Sequence, residues 1–163
     1  MADATQYDIF ISYAHEDVEF VEVLDAGLES QGVTTWRDRR RLQPTDLWKT
    51  KIREALLRSR CMVLILSQAS INSSAVQEEY DIVTSANQDR PMSEQILVLP
   101  VRYETYTETV WRPELQRQWI DISEVKTTRM KVATALNEIT FYRQYSDLSE
   151  LTMMELYNRA QRK

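Results

Sequence analysis

The chain has 163 residues, 43% of them hydrophobic and 28% charged, which suits one folded domain with its own core and excludes wholesale disorder. A formal net charge of −5 argues against nucleic-acid binding as the main activity, because neutralising phosphates needs a basic face. The single cysteine, Cys61, and the single histidine, His15, exclude a disulfide framework and a His/Cys zinc centre, so no metal is expected and a reducing, cytoplasmic location fits.

The first apolar run, Tyr7-Asp8-Ile9-Phe10-Ile11-Ser12-Tyr13, reads as a strand. Phe20, Leu24 and Leu28 then recur at helical spacing, which predicts a helix over 17–31, with Gly32 placed to end it. Val33-Thr34-Thr35-Trp36 is a short second strand. The basic run Arg37 to Arg41, interrupted by Asp38, reads as a solvated loop on its own composition. Pro44-Thr45-Asp46 starts a helix whose apolar stripe is Ile52, Leu56 and Leu57. Residues 61–67 form the third and most apolar strand, in which Cys61 is a buried residue rather than a nucleophile, since apolar burial raises a thiol pKa. Ser74 with Gln77 has the form of a capping box and opens a helix through about Asn87. Residues 96–101 are a fourth strand and Gln118–Ile122 a weaker fifth, with Trp111 and Trp119 as packing residues around the last crossover. Val132, Leu136 and Ile139 mark a helix over 125–140. Beyond it, Leu148, Leu151, Leu156 and Ala160 suggest a short amphipathic helix, a terminal extension over 141–163 or the start of a further module.

Strands alternating with helices imply parallel strands joined by right-handed crossovers, here a flavodoxin-like three-layer α/β sandwich with a central sheet of about five strands. Such sheets bind ligands beyond the carboxyl ends of their strands, where strand order reverses. Candidate site residues therefore lie in Ser12–Asp17, Trp36–Trp48, Ser67–Glu79 and from Arg102 onward. The two glycines, Gly27 and Gly32, leave no dinucleotide fingerprint and no P-loop. Leu66-Ser67 stands where a phosphoacceptor aspartate would end the third strand, and His15 alone makes no Ser-His-Asp arrangement. No apolar run is long enough to cross a membrane, and the N-terminus lacks the basic and apolar regions of a signal peptide.

Several segments, taken in order, resemble the TIR (Toll/interleukin-1 receptor) domain family over about residues 6–140. Tyr7 to Tyr13 is similar to the family's first box. Trp36-Arg37-Asp38 followed by Leu42-Gln43-Pro44-Thr45-Asp46 is similar to the end of its second strand and its BB loop. Ser67 and then Ser74-Ala75-Val76-Gln77-Glu78-Glu79-Tyr80 resemble the region of the catalytic glutamate, and Ile96 to Val101 the fourth strand with its Leu-Pro-Val ending. The resemblance implies an enzyme of the prokaryotic defence type that breaks the nicotinamide–ribose bond of NAD, giving nicotinamide and ADP-ribose or a cyclic isomer. NAD would be its substrate, and no cofactor is implied. Glu79 matches the catalytic carboxylate, with Glu78 beside it as a second acid. Ser12, Tyr13, Ala14, Trp36, Asp38, Arg39, Trp48 and Ser74 are the implied substrate contacts. The chain departs from the family at Ala75, where many enzymatic members carry tryptophan, and at Thr45, where glycine is common and whose side chain stiffens the turn. Activity in the family depends on TIR domains stacking on one another, and a sensor region is expected if the chain is part of a longer protein. The alternatives are a non-enzymatic TIR adaptor, which Ala75 favours, and a deoxyribosyltransferase-like enzyme acting on another N-glycosidic substrate.

Overall fold

The computed structural model describes residues 6–37, 46–107, 109–116 and 120–144. In chain order the principal elements are β1 (Tyr7–Ser12), α1 (Val18–Ser30), β2 (Thr35–Arg37), α2 (Asp46–Leu57), β3 (Ser59–Leu66), the single turn α3 (Gln68–Ile71), α4 (Ser74–Gln88), β4 (Leu97–Arg102), β5 (Ile120–Asp121) and α5 (Thr128–Gln144). The five strands are hydrogen-bonded in the order β2-β1-β3-β4-β5, and every pair is parallel. This is the flavodoxin-like sheet expected from the sequence. Its order reverses between β1 and β3, so the carboxyl ends of those two strands flank the crevice.

The side-chain period of two divides the strands between two cores. On β3, Cys61, Val63 and Ile65 pack with α1 and α5, whereas Met62, Leu64 and Leu66 pack with α2 and α4. A strand covered on both faces needs apolar residues at every position, which is why β3 is a continuous apolar run. The same parity puts Phe10 on the α2/α4 side and Ile9 and Ile11 on the other. Cys61 is fully buried, and that burial pushes its thiol up to about 12, which leaves it unreactive.

α1 and α5 approach closely at Gly27, where an added Cβ would lie 2.7 Å from Leu136 Cδ1. α1 ends in a Schellman motif: Gly32 N–H donates to Glu29 O, Val33 N–H donates to Leu28 O, and Gly32 has φ 81°. Because Val33 N–H is engaged in this cap, β2 starts at Thr35 rather than at Val33. An added Cβ at Gly32 would meet nothing within 4 Å, so backbone strain alone sets the cost of substitution there. Gly32→Ala is expected to lose about 1–2 kcal/mol, read as a lower midpoint in urea unfolding, with Gly32→Asn losing less.

Two further boundaries differ from expectation. Residues His15–Asp17 form a 3₁₀ turn, so α1 opens at Val18, and α3 was not foreseen because four residues are too few for periodicity to register. The helix anticipated around Leu148–Ala160, the loop residues Arg39 to Thr45 and Trp119 lie outside the described residues. Among the described residues, no helix is long and apolar enough to cross a membrane.

Candidate active site

Ser12 is the last residue of β1 and follows the parity of Phe10, which directs it to the α2/α4 side of the sheet. Glu79 lies in the second turn of α4 and is only 1% exposed. The two meet at the crevice, where Ser12 Oγ donates to Glu79 Oε1 at 2.7 Å with both groups buried. A hydrogen bond to a carboxylate in a dry setting is short and strong, and it fixes the direction of the carboxyl plane. Glu78, by contrast, is exposed. It lines an open groove on the outer surface of α4 with Arg53, Ser74, Gln77 and Asp81. Burial and direction therefore separate the two adjacent acids.

α4 is held on both sides of Glu79. Ser73 caps it, with Val76 N–H donating to Ser73 Oγ at 3.3 Å. This corrects the capping box expected at Ser74 by one residue: Gln77 Nε2 donates instead to Ile71 O at 3.0 Å, and Ser74 is an exposed first-turn residue. The reason is the α3 turn, which brings Ser73 rather than Ser74 to the helix entrance. Next to Glu79, Tyr80 is buried, packs edge-to-face on Trp111 with centroids 5.8 Å apart, and donates its hydroxyl to Glu114 Oε1 at 2.8 Å. Burial, and then Glu114, raise the Tyr80 phenol. Trp111 is thus a packing residue, as its sequence context suggested.

A second serine–carboxylate pair sits on the other side of the sheet. Ser67 follows β3 with the parity of Ile65, and its Oγ donates to Asp17 Oδ2. Asp17 is buried, and desolvation is the chief cause that pushes its carboxyl up to about 6. The Ser67 hydrogen bond opposes that shift, and the negative charges of Glu104 and Glu16 add to it. At neutral pH the ionised form is therefore disfavoured in the folded chain relative to the unfolded one. As pH falls through about 6, the folded chain takes up a proton that an unfolded aspartate accepts only near 4, so this group adds stability down to about pH 4. Asp17→Asn is expected to raise Tm relative to wild type at pH 7, with the difference closing toward pH 4–5. A difference that widened on acidification would contradict the assignment.

The remaining sequence candidates are dispersed. Ala14 is buried and accepts Asp17 N–H at 2.9 Å. Tyr13 is half-buried against the α1/α5 core. Trp36 stacks on Phe10 with centroids 5.2 Å apart and lines a small cleft with Tyr7, Lys51, Glu54 and Arg58. Trp36 is in register with Phe10 rather than with Ser12, which sets its ring back from the strand end. Trp48 is in the first turn of α2 with its side chain outside the described part, and Asp38 and Arg39 lie outside the described residues. The structure thus brings together Ser12 and Glu79, and adds Asp17 and Ser67, which sequence reading placed in candidate ranges without singling out. For Ser67 the signal was a polar residue following an otherwise apolar strand; Asp17, in the 3₁₀ turn, carried no such signal.

Comparison with known proteins places these features in a family. The family model described as "TIR domain" matches residues 9–136. The chain is 36% identical over 77 residues to NAD(+) hydrolase TcpA of Theionarchaea archaeon (strain DG-70-1), a match covering 47% of this chain and 23% of that protein. It is 28% identical over 135 residues to 2' cyclic ADP-D-ribose synthase AbTIR of Acinetobacter baumannii (strain 1295743), covering 82% of this chain and 45% of that one. The chain therefore spans less than half the length of either curated relative. In fold it resembles the TIR domain of the Toll-related receptor TRR-2 of Hydra magnipapillata, with a TM-score of 0.60, 20% identity, and coverage of 84% of this chain and 97% of that one.

Proposed function

Because the chain belongs to the TIR domain family, we propose that it is an NAD-cleaving enzyme in which Glu79 is the catalytic carboxylate. The observation that carries this reading is the buried Ser12–Glu79 hydrogen bond at the crevice between the β1 and β3 ends. The relatives named for NAD hydrolysis and for cyclic ADP-ribose synthesis support the substrate class.

The chemistry asks little more of the protein than one oriented negative charge. Nicotinamide leaves NAD as a neutral molecule, because the pyridinium takes up the bonding electron pair, so no general acid is needed. Positive charge develops on the ribose, which becomes oxocarbenium-like as in glycoside cleavage. A carboxylate fixed in a low-dielectric setting stabilises that charge without reorganising, and it also accepts hydrogen bonds from ribose hydroxyls. Ser12 holds one carboxylate oxygen and so helps to set the plane of the carboxylate. Water gives ADP-ribose; attack by a group of the same molecule gives a cyclic isomer.

Stacking of TIR domains completes the site in this reading, with head-to-tail contacts that lead to open assemblies rather than closed dimers. A role in antiviral or cell-death defence, under an upstream sensor, follows from the same resemblance. The test is nicotinamide release from NAD by the concentrated chain, followed by chromatography beside Glu79→Gln. Release by wild type alone supports the proposal. No release at any concentration or degree of crowding would turn the reading to a TIR adaptor.

A further inference from the structure

The two serine–carboxylate pairs are reciprocal. Ser12, ending β1, bonds the carboxylate carried by the helix that follows β3; Ser67, following β3, bonds the carboxylate carried by the turn that follows β1. They sit on opposite faces of the sheet, and short stretches of chain and hydrogen bonds together join them into a circuit. From Ser12 the chain runs to Ala14, whose carbonyl accepts Asp17 N–H at 2.9 Å. Asp17 accepts Ser67 Oγ–H, and Ser67 Oγ in turn accepts Ser70 N–H at 3.1 Å while Ser67 N–H donates to Ser70 Oγ at 2.7 Å. Ser73 N–H donates to Ser70 O at 3.0 Å, and Gln77 N–H donates to Ser73 O at 3.1 Å at the entrance of α4. Glu79 on that helix then closes the circuit on Ser12.

Resting on the NAD-cleavage reading, we infer that Asp17 is a positioning residue for Glu79, acting across the sheet through Ser67 and the α3 turn. The Asp17 link ties the α3 turn, and through it the start of α4, to the turn that follows β1, in addition to the pairing of β1 with β3 and the Ser12–Glu79 bond. Losing that link loosens the entrance of the helix that carries Glu79. A small displacement of a reacting group matters, since a shift of about 1 Å can cost about a hundredfold in rate. Burying a carboxylate at Asp17 is also costly to the fold, so its position is better explained by geometry than by stability.

The experiment compares kcat and KM for NAD in the full chain for wild type, Asp17→Ala, Asp17→Asn, Ser67→Ala and the Asp17→Ala/Ser67→Ala double variant, beside Glu79→Gln. Expected are drops in kcat of about tenfold in each alanine variant with KM little changed, a double variant no worse than either single, and recovery of most of the loss in Asp17→Asn, which keeps an acceptor for Ser67. Wild-type kcat in Ser67→Ala, the mildest change, overturns the inference, as does full additivity in the double variant. Amide hydrogen exchange, read in parallel, separates this inference from the one it rests on. If wild type releases no nicotinamide, the NAD reading falls. The circuit then stands on faster exchange at Ser73–Gln77 in Ser67→Ala with α5 unaffected, and unchanged exchange there refutes it.

Discussion

Glu79→Gln is expected to lower the rate of nicotinamide release by about 10²–10³-fold while leaving the protein folded and no less stable. The substitution keeps the shape of the side chain and an oxygen able to accept the Ser12 hydroxyl, whose bond to Oε1 is 2.7 Å long. What it removes is the charge. Loss of one preorganised electrostatic contact in a dry site costs about 2.7–4 kcal/mol of transition-state stabilisation, which is the fold-change stated. Stability is expected to hold, because a buried carboxylate is costly to desolvate and the neutral amide keeps its shape and its hydrogen bond from Ser12. The prediction is therefore a dissociation: rate falls, Tm holds. Glu78→Gln is the matched control, since Glu78 is exposed on the outer surface of α4 and its change should leave the rate within about twofold. Equal rates in wild type and Glu79→Gln, measured at matched protein concentration, would remove Glu79 from the chemistry.

How much of this could be read without coordinates depended on the range of the interaction concerned. The strands were legible because each face of the sheet demands its own apolar set. On β3 that demand fills every position from Cys61 to Leu66, and the parallel, doubly covered sheet follows. Gly32 was legible because a positive φ has few residues to serve it. The crevice could be located to a handful of strand ends by topology alone. Choosing between Glu78 and Glu79 turned on the helix face: Glu79 shares the buried i, i+3, i+4, i+7 stripe with Val76, Tyr80 and Val83, and Glu78 falls off it, so the spacing carried the distinction, while the Ser12 partner 67 residues away did not show in it. The pairing of Asp17 with Ser67 spans 50 residues, and no spacing rule announces a contact that distant. The α4 cap was misplaced by one residue for a related reason. Ser73 and Ser74 are chemically equal as caps, and the choice was made by α3, a turn too short to leave a periodic trace.

Asp25→Ala should be the most destabilising single change outside the cores, by about 3–5 kcal/mol. Asp25 projects from α1 toward β2, where Arg37 Nε lies 2.8 Å from its Oδ2 with 11% and 9% of the two side chains accessible, and Thr35 Oγ1 donates to its Oδ1. β2 is a strand of three residues at the edge of the described sheet, where it pairs with β1, so the carboxylate of Asp25 ties down much of what holds it. Truncating Asp25 strands a buried guanidinium and removes the acceptor of Thr35, and an uncompensated buried charge costs far more than a broken surface pair. Truncating the other partner is less severe, because in Arg37→Met the carboxylate keeps Thr35 and the new side chain fills the space. The double variant Asp25→Leu/Arg37→Met should recover most of the stability lost in Asp25→Ala, since well-packed apolar pairs commonly replace buried ion pairs at little cost. Urea unfolding of wild type, Asp25→Leu, Arg37→Met and the double variant gives the coupling directly, and simple additivity would mean that the pair does not act as a unit. Function adds an independent reading. β2 leads directly into residues 38–45, which include Asp38 and Arg39, so weakening its attachment should lower nicotinamide release by Asp25→Ala even well below its Tm, with the effect falling on KM if those residues contact the substrate.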